Sequence, residues 1–262
     1  MPRTKIFNQF YEGGNPVDVC TKRIGYLCGC RKCRVGKYSE PYKYYSSNGE
    51  YRDALFVKMD DDVVFMESAR FQLFIDCVNT HRRTIWSANV INNGVCAIAT
   101  PGLKAEIEKA GLVKSDSIQS WWFLCTNVDF FRLSHEYFFK QTPSLLNQPA
   151  VAFGAPRARF SINTIGFDWE TMNAISERLG LSPTVNDEGV ISENFDISIL
   201  GGFLACHLHY SDQRSNISDD EEGRILDRYR AIKGHYLGSM SNRAIGFRPG
   251  QTQERRHRRN RR

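Results

Sequence analysis

The chain has 262 residues, 41% of them apolar and 24% charged, which excludes a disordered chain and allows one sizeable core or two small ones. No stretch approaches the roughly 20 apolar residues that cross a bilayer, and Met1 to Lys5 open without a hydrophobic signal segment behind their charges, so a soluble, cytoplasmic protein is expected. The net charge of +6 is mostly terminal: residues 251–262 hold six Arg against one Glu, or +5, leaving +1 for the other 250 residues.

Residues 1–50 are aromatic, polar and turn-rich, broken by Glu12-Gly-Gly-Asn-Pro16 and by Tyr42 to Gly49, and read as an irregular Cys-rich segment. Cys20, Cys28, Cys30 and Cys33 offer four soft ligands for a structural Zn2+, but the spacing is not that of a zinc knuckle, and reduced thiols or a local disulfide are the favoured alternatives. Cys77, Cys96, Cys125 and Cys206 have apolar neighbours and read as core residues.

From Ala54 to Met59 the pattern becomes a short apolar run, predicting a buried strand that ends in Asp60-Asp61-Asp62 and resumes at Val63 to Met66. Phe71, Phe74, Ile75 and Val78 fall at helical spacing within 67–80, and 84–91 reads as the next strand. A short helix is expected at 103–110, closed by Gly111, and another near Ser134 to Phe139 with Ser134 capping its first turn. Trp121-Trp122-Phe123 lies between them, suited to stacking on a sugar or base but equally to a core.

In the second half, 159–167 reads as a strand and 169–179 as an amphipathic helix ended by Gly180. Asn186 to Gly189 reads as an acidic turn, Ile197 to Cys206 leads apolar into His207, and a last helix is expected from about Asp219 to Tyr236. Strands alternating with helices favour an α/β architecture in one domain over 51–237, followed by a flexible basic tail at 238–262.

Three consecutive carboxylates after an apolar strand repel one another unless solvated or bridged by a cation. Asp60 and Asp62 are therefore candidates to share a divalent metal at the carboxyl end of a strand; a solvated acidic turn is the alternative.

The segment Phe56-Val-Lys-Met-Asp-Asp-Asp-Val-Val-Phe65 resembles the Asp-any-Asp motif of glycosyltransferases with the GT-A fold, in particular a group of fungal and viral sequences. Further likenesses follow in order: Trp86 to Asn93, His135 to Phe139, Arg159 to Asn163, Asp187-Glu188, His207 to Gln213 and Arg228 to Arg230. The resemblance implies a GT-A-like, Rossmann-like mixed sheet flanked by helices. It also implies transfer of a sugar from a UDP- or GDP-linked donor to a hydroxyl of a glycan or glycoprotein. Asp60, Asp62 and His207 would hold Mn2+ or Mg2+, with His209 nearby. Asp60, Asp61, Asp62, Lys58, Asn89, Asn92, Asn93 and Arg159 would meet the donor, with Arg157 as a further phosphate partner. Asp187 and Glu188 would supply the general base of an inverting transfer. One departure is that the nucleotide-binding region ahead of the motif is short, only 59 residues.

Two other readings account for part of the sequence. A zinc-containing nucleic-acid-binding protein would use the Cys cluster and the Arg-rich tail, whose charge alone favours non-specific polyanion binding. A metal-dependent phosphohydrolase would use the same aspartates.

Overall fold

A computed structural model describes residues 39–244, apart from 114, 116, 149–150, 156–158 and 182–185. The chain divides into two compact units at Asp219/Asp220. The first is an α/β unit built on a mixed sheet; the second is represented by the helix α10 (Asp219–Ala244), which runs past the end expected near Tyr236.

The sheet has six strands, β1 (Leu55–Met59), β2 (Val63–Met66), β3 (Ile85–Ile91), β4 (Ala152–Gly154), β5 (Thr164–Asp168) and β6 (Ile197–His207). Five follow the order β1-β5-β3-β6-β2, and β4 pairs with the first half of β6. β3 and β6 are parallel, and β5 runs antiparallel to both β1 and β3. So β1, β3 and β6 point the same way, and their carboxyl ends share one edge of the sheet. In β6, residues 201–203 are looped out between the pairs Ala88↔Leu200 and Asn89↔Leu204, which lets β4 pair below the loop and β2 above it.

The centre of the sheet is apolar on both faces: every residue of β3 and β5 is buried, as expected for strands covered by helices. Helix α2 (Phe71–Thr80) packs Phe74 and Val78 onto β5, and Gly166 makes the approach possible, since a Cβ there would stand 2.8 Å from both side chains. Phe74 also stacks on Phe203, centroids 4.6 Å apart. Fully burying a side chain of this kind stabilises the fold by about 1.5–3 kcal/mol.

Several elements differ from the sequence-based expectation. The run 54–66 is two strands rather than one interrupted strand, and β1 is half-buried because it lies at the end of the strand order. Tyr42 to Ser47, expected as a breaker, belongs to helix α1 (Ser39–Ser47). Tertiary packing overrides its weak propensity: Tyr42 is buried with its ring 6.4 Å from Phe167, and Tyr45 meets Phe56 at 5.7 Å. The helix expected at 103–110 is α4 (Pro101–Lys109), begun by Pro at its first turn and followed by Gly111 at φ 66°.

Helices α3 (Gly94–Ile98) and α5 (Ile118–Trp122) precede and follow α4; neither was expected. The helix near 134–139 is the middle of α6 (Val128–Leu146), whose N-cap is Asn127, accepting from Phe130 N at 2.9 Å. Ser134 is interior, and its hydroxyl bonds back to Phe131 O. Helix α7 (Trp169–Leu181) forms where expected but runs through Gly180, which was expected to end it. The acidic turn at 186–189 is the first turn of α8 (Asp187–Asn194), with Asn186 capping Gly189 N and two acids at the positive end of the helix dipole. The short α9 (Ser211–Arg214) follows β6.

Candidate metal centre

Asp60-Asp61-Asp62 links β1 to β2, strands at opposite ends of the sheet order, and so runs along the edge where β1, β3 and β6 terminate. Its backbone is tied at both ends: Asp60 N donates to Asn163 O and Leu208 N donates to Asp62 O, both at 2.9 Å. Held this way, Asp60 and Asp62 are half-buried while Asp61 is exposed.

His207, the last residue of β6, pairs with Val63 across the β2 ladder and thereby meets the far end of the link. Its Nε2 lies 2.8 Å from Asp62 Oδ1 and 4.0 Å from Asp60 Oδ2. One ligand atom from each of the three residues lies within 4.8 Å of the others. Two ligands of one ion at about 2.2 Å stand at most about 4.4 Å apart, so a small inward shift suffices to seat a divalent cation. The donor set suits one, and three protein ligands leave coordination positions for a substrate.

The electrostatics match. Burial works to raise the Asp62 carboxyl, but the His207 hydrogen bond and charge, with help from a backbone N–H and His209, hold it below the ordinary aspartate value. His209 Nδ1 stands 3.8 Å from Asp62 Oδ2, and Arg214 Nη2 stands 4.0 Å from the same oxygen. On the other side, Lys58 Nζ donates to Asp60 Oδ1 at 2.8 Å. The Tyr210 ring lies 4.4 Å from that of His207, whose Nδ1 is buried without a hydrogen-bond partner.

Glu188 and Asp187 share a helix turn and have different surroundings. Asp187 is buried, accepting from the Tyr42 hydroxyl at 2.9 Å and from Glu188 N at 3.0 Å. Glu188 pairs with Arg159 Nε at 2.9 Å, and the Arg159 guanidinium lies over the Trp122 ring. Burial pushes the Glu188 carboxyl above its ordinary range, against the pull of Arg159 and Lys58 and with added repulsion from Asp187. Lys58 therefore touches Asp60 and also acts on Glu188.

The three asparagines expected at the donor are buried and their amides serve the protein itself. Asn89 bonds Thr100 Oγ1 and Gly201 O. Asn92, at φ 65°, bonds Leu208 O and Gln213. Asn93 caps α3 through Val95 N and Cys96 N and donates to Ser161 O and Asn163 Oδ1. Residues 159–163, expected within a strand, have no ladder of their own because side chains and the acidic link take their carbonyls: Ser161 O by Asn93, Ile162 O by Lys58, Asn163 O by Asp60 N.

Sequence reasoning missed Asn163, Tyr210 and Gln213 as parts of the site. Asn163 stood in the sequence only as the last residue of the Arg159 to Asn163 likeness, with no role of its own. Cys20, Cys28, Cys30, Cys33, Arg157 and, of the tail expected at 238–262, residues 245–262 lie outside the described residues, whereas 238–244 continue α10. Among the described residues no helix is long and apolar enough to cross a membrane. Compared with protein-family models, with curated proteins and with solved structures, the chain finds no match.

Proposed function

We propose that this chain is a divalent-metal-dependent glycosyltransferase that moves a sugar from a nucleotide-sugar donor to a hydroxyl acceptor. The observation that carries this reading is the cluster of Asp60, Asp62 and His207 on the edge where three strands end, with Glu188 linked to it through Lys58. Carboxyl ends of parallel strands are where α/β sheets bind ligands. The mixed sheet with its flanking helices supports an α/β reading.

Asp60, Asp62 and His207 would hold Mn2+ or Mg2+, which would supply positive charge to a departing diphosphate. Two carboxylate oxygens accommodate either ion, and the imidazole favours Mn2+. Lys58 and Arg159, each now paired with an acid, are the protein's own cations for the phosphates. Glu188 takes the acceptor hydroxyl proton as that oxygen bonds to the anomeric carbon and the bond from this carbon to the diphosphate breaks. Its raised carboxyl is the more basic for it. Asp187, locked by Tyr42, orients the first turn of α8 beneath Glu188.

The test is thermal stabilisation by UDP- and GDP-linked sugars with Mn2+ and with EDTA. A ligand bound only by the folded state raises the melting temperature, and the expected result is a rise that requires Mn2+. Absence of any Mn2+-dependent shift with every donor, together with no heat on titrating UDP or GDP, sinks the proposal. Release of phosphate without dependence on an acceptor would assign the same centre to hydrolysis.

A further inference from the structure

We propose that Asn163 is a positioning residue that fixes the Asp60 carboxylate in its ligand orientation, through hydrogen bonds whose direction is set at the start of α3. The inference rests on the metal seat of the proposed function.

The direction of each bond is forced in turn. Asn93 Oδ1 accepts from two backbone N–H groups, Val95 N at 3.1 Å and Cys96 N at 3.2 Å. Backbone amides only donate, so the other end of this side chain is its NH2 group. That group donates to Ser161 O at 2.9 Å and to Asn163 Oδ1 at 3.0 Å. The Tyr210 hydroxyl also reaches Asn163 Oδ1, at 2.9 Å. With its oxygen held, Asn163 turns its own NH2 toward the acidic link, where Nδ2 donates to Asp60 Oδ2 at 3.0 Å.

The same residue holds the Asp60 backbone, since Asp60 N donates to Asn163 O. Asp60 is therefore gripped by one residue at main chain and side chain, and faces a donor that the relay prevents from flipping. Asn163 and Asn93 are both buried, so water does not compete. An amide donor on a ligating carboxylate is the kind of outer-shell contact that orients ligands and tunes affinity. The Oδ2 atom it holds is also the one 4.0 Å from His207 Nε2, on the side where an ion must sit.

The experiment is Mn2+ titration by calorimetry, with electron paramagnetic resonance as a second measure of free ion. Asn163→Ala is expected to weaken Mn2+ binding about ten- to a hundredfold. A double-mutant cycle separates positioning from general loosening: in an Asp60→Asn background, removing Asn163 should cost little further affinity, whereas in an Asp62→Asn background it should keep its effect. Should Asn163→Ala not fold, Asn93→Asp is read instead; it retains acceptors for Val95 N and Cys96 N, lacks the donor to Asn163, and should weaken Mn2+ binding likewise. Wild-type affinity in the folded Asn163 variant, or equal losses in both backgrounds, overturns the inference and leaves the metal seat standing. No Mn2+ binding by the wild-type protein overturns the seat itself, and the inference with it.

Discussion

His207 Nε2 stands 2.8 Å from Asp62 Oδ1, a contact between the end of β6 and the start of β2 that brings distant parts of the sequence into one ligand set. Asp61, between the two candidate ligands, is exposed and outside the set. Mn2+ alone should therefore raise the melting temperature of the wild-type protein. Binding at a hundredfold excess over Kd stabilises by about 2.7 kcal/mol, or several degrees at this chain length. Asp61→Asn should keep that shift and Asp62→Asn should reduce it. Equal behaviour of the two variants in scanning fluorimetry would place the ion elsewhere.

Glu188→Gln should lower kcat by about 10²–10⁴-fold while leaving Mn2+ binding near wild type, since Glu188 is not among the three ligands. The pH profile carries a sign. A base works when ionised, and burial lifts this carboxyl above 4.5, so kcat/KM should rise with pH through a value higher than that of an ordinary glutamate. Arg159 pulls the other way, so Arg159→Met should move the acid limb to still higher pH. A limb that stays fixed in the Arg159 variant would show that another group titrates.

The ligand triad was legible because its chemistry is unusual in a sequence: three acids after an apolar run, and a histidine ending another. The distance between them was not, since it depends on β1 and β2 lying at opposite ends of the strand order. Tyr42 looked like part of a breaker and became helical because Phe167 and Asp187 receive its ring and hydroxyl. Asn93 was expected to meet the donor, and it is a helix cap whose spare NH2 reaches the site. Local signals in the sequence report propensity; these residues owe their roles to partners far away along the chain.

Gly94, directly after that cap, leaves no room for a side chain. A Cβ at this position would clash with the Trp121 carbonyl oxygen and stand 2.9 Å from Trp121 C and 3.0 Å from Leu124 Cβ. Backbone gives way less readily than side chains. Gly94→Ala should therefore cost roughly 1–3 kcal/mol or more, although alanine is the better helix former. Chemical denaturation measures it, and a variant as stable as wild type would mean that α5 moves away freely.

Glu67 has a different kind of cost. It is buried beside β6, its N–H bonded to Leu204 O, with Arg70 Nε 3.5 Å from Oε1 and no partner for Oε2. Burial, only partly opposed by Arg70 and by a Leu204 backbone N–H acting on the carboxylate, pushes its carboxyl up from 4.5 to about 7. Below pH 4.5 the group is protonated folded or unfolded and contributes no pH dependence. Between 4.5 and 7 the folded state keeps a proton that the unfolded state releases, so stability falls as pH rises, and above 7 the loss is complete at about 3 kcal/mol. Glu67→Gln, which cannot ionise, should match wild type near pH 4.5 and exceed it at pH 8. Urea denaturation of both proteins across that range tests this, and curves that remain parallel from pH 4.5 to 8 would show that Glu67 keeps an ordinary pKa in the fold.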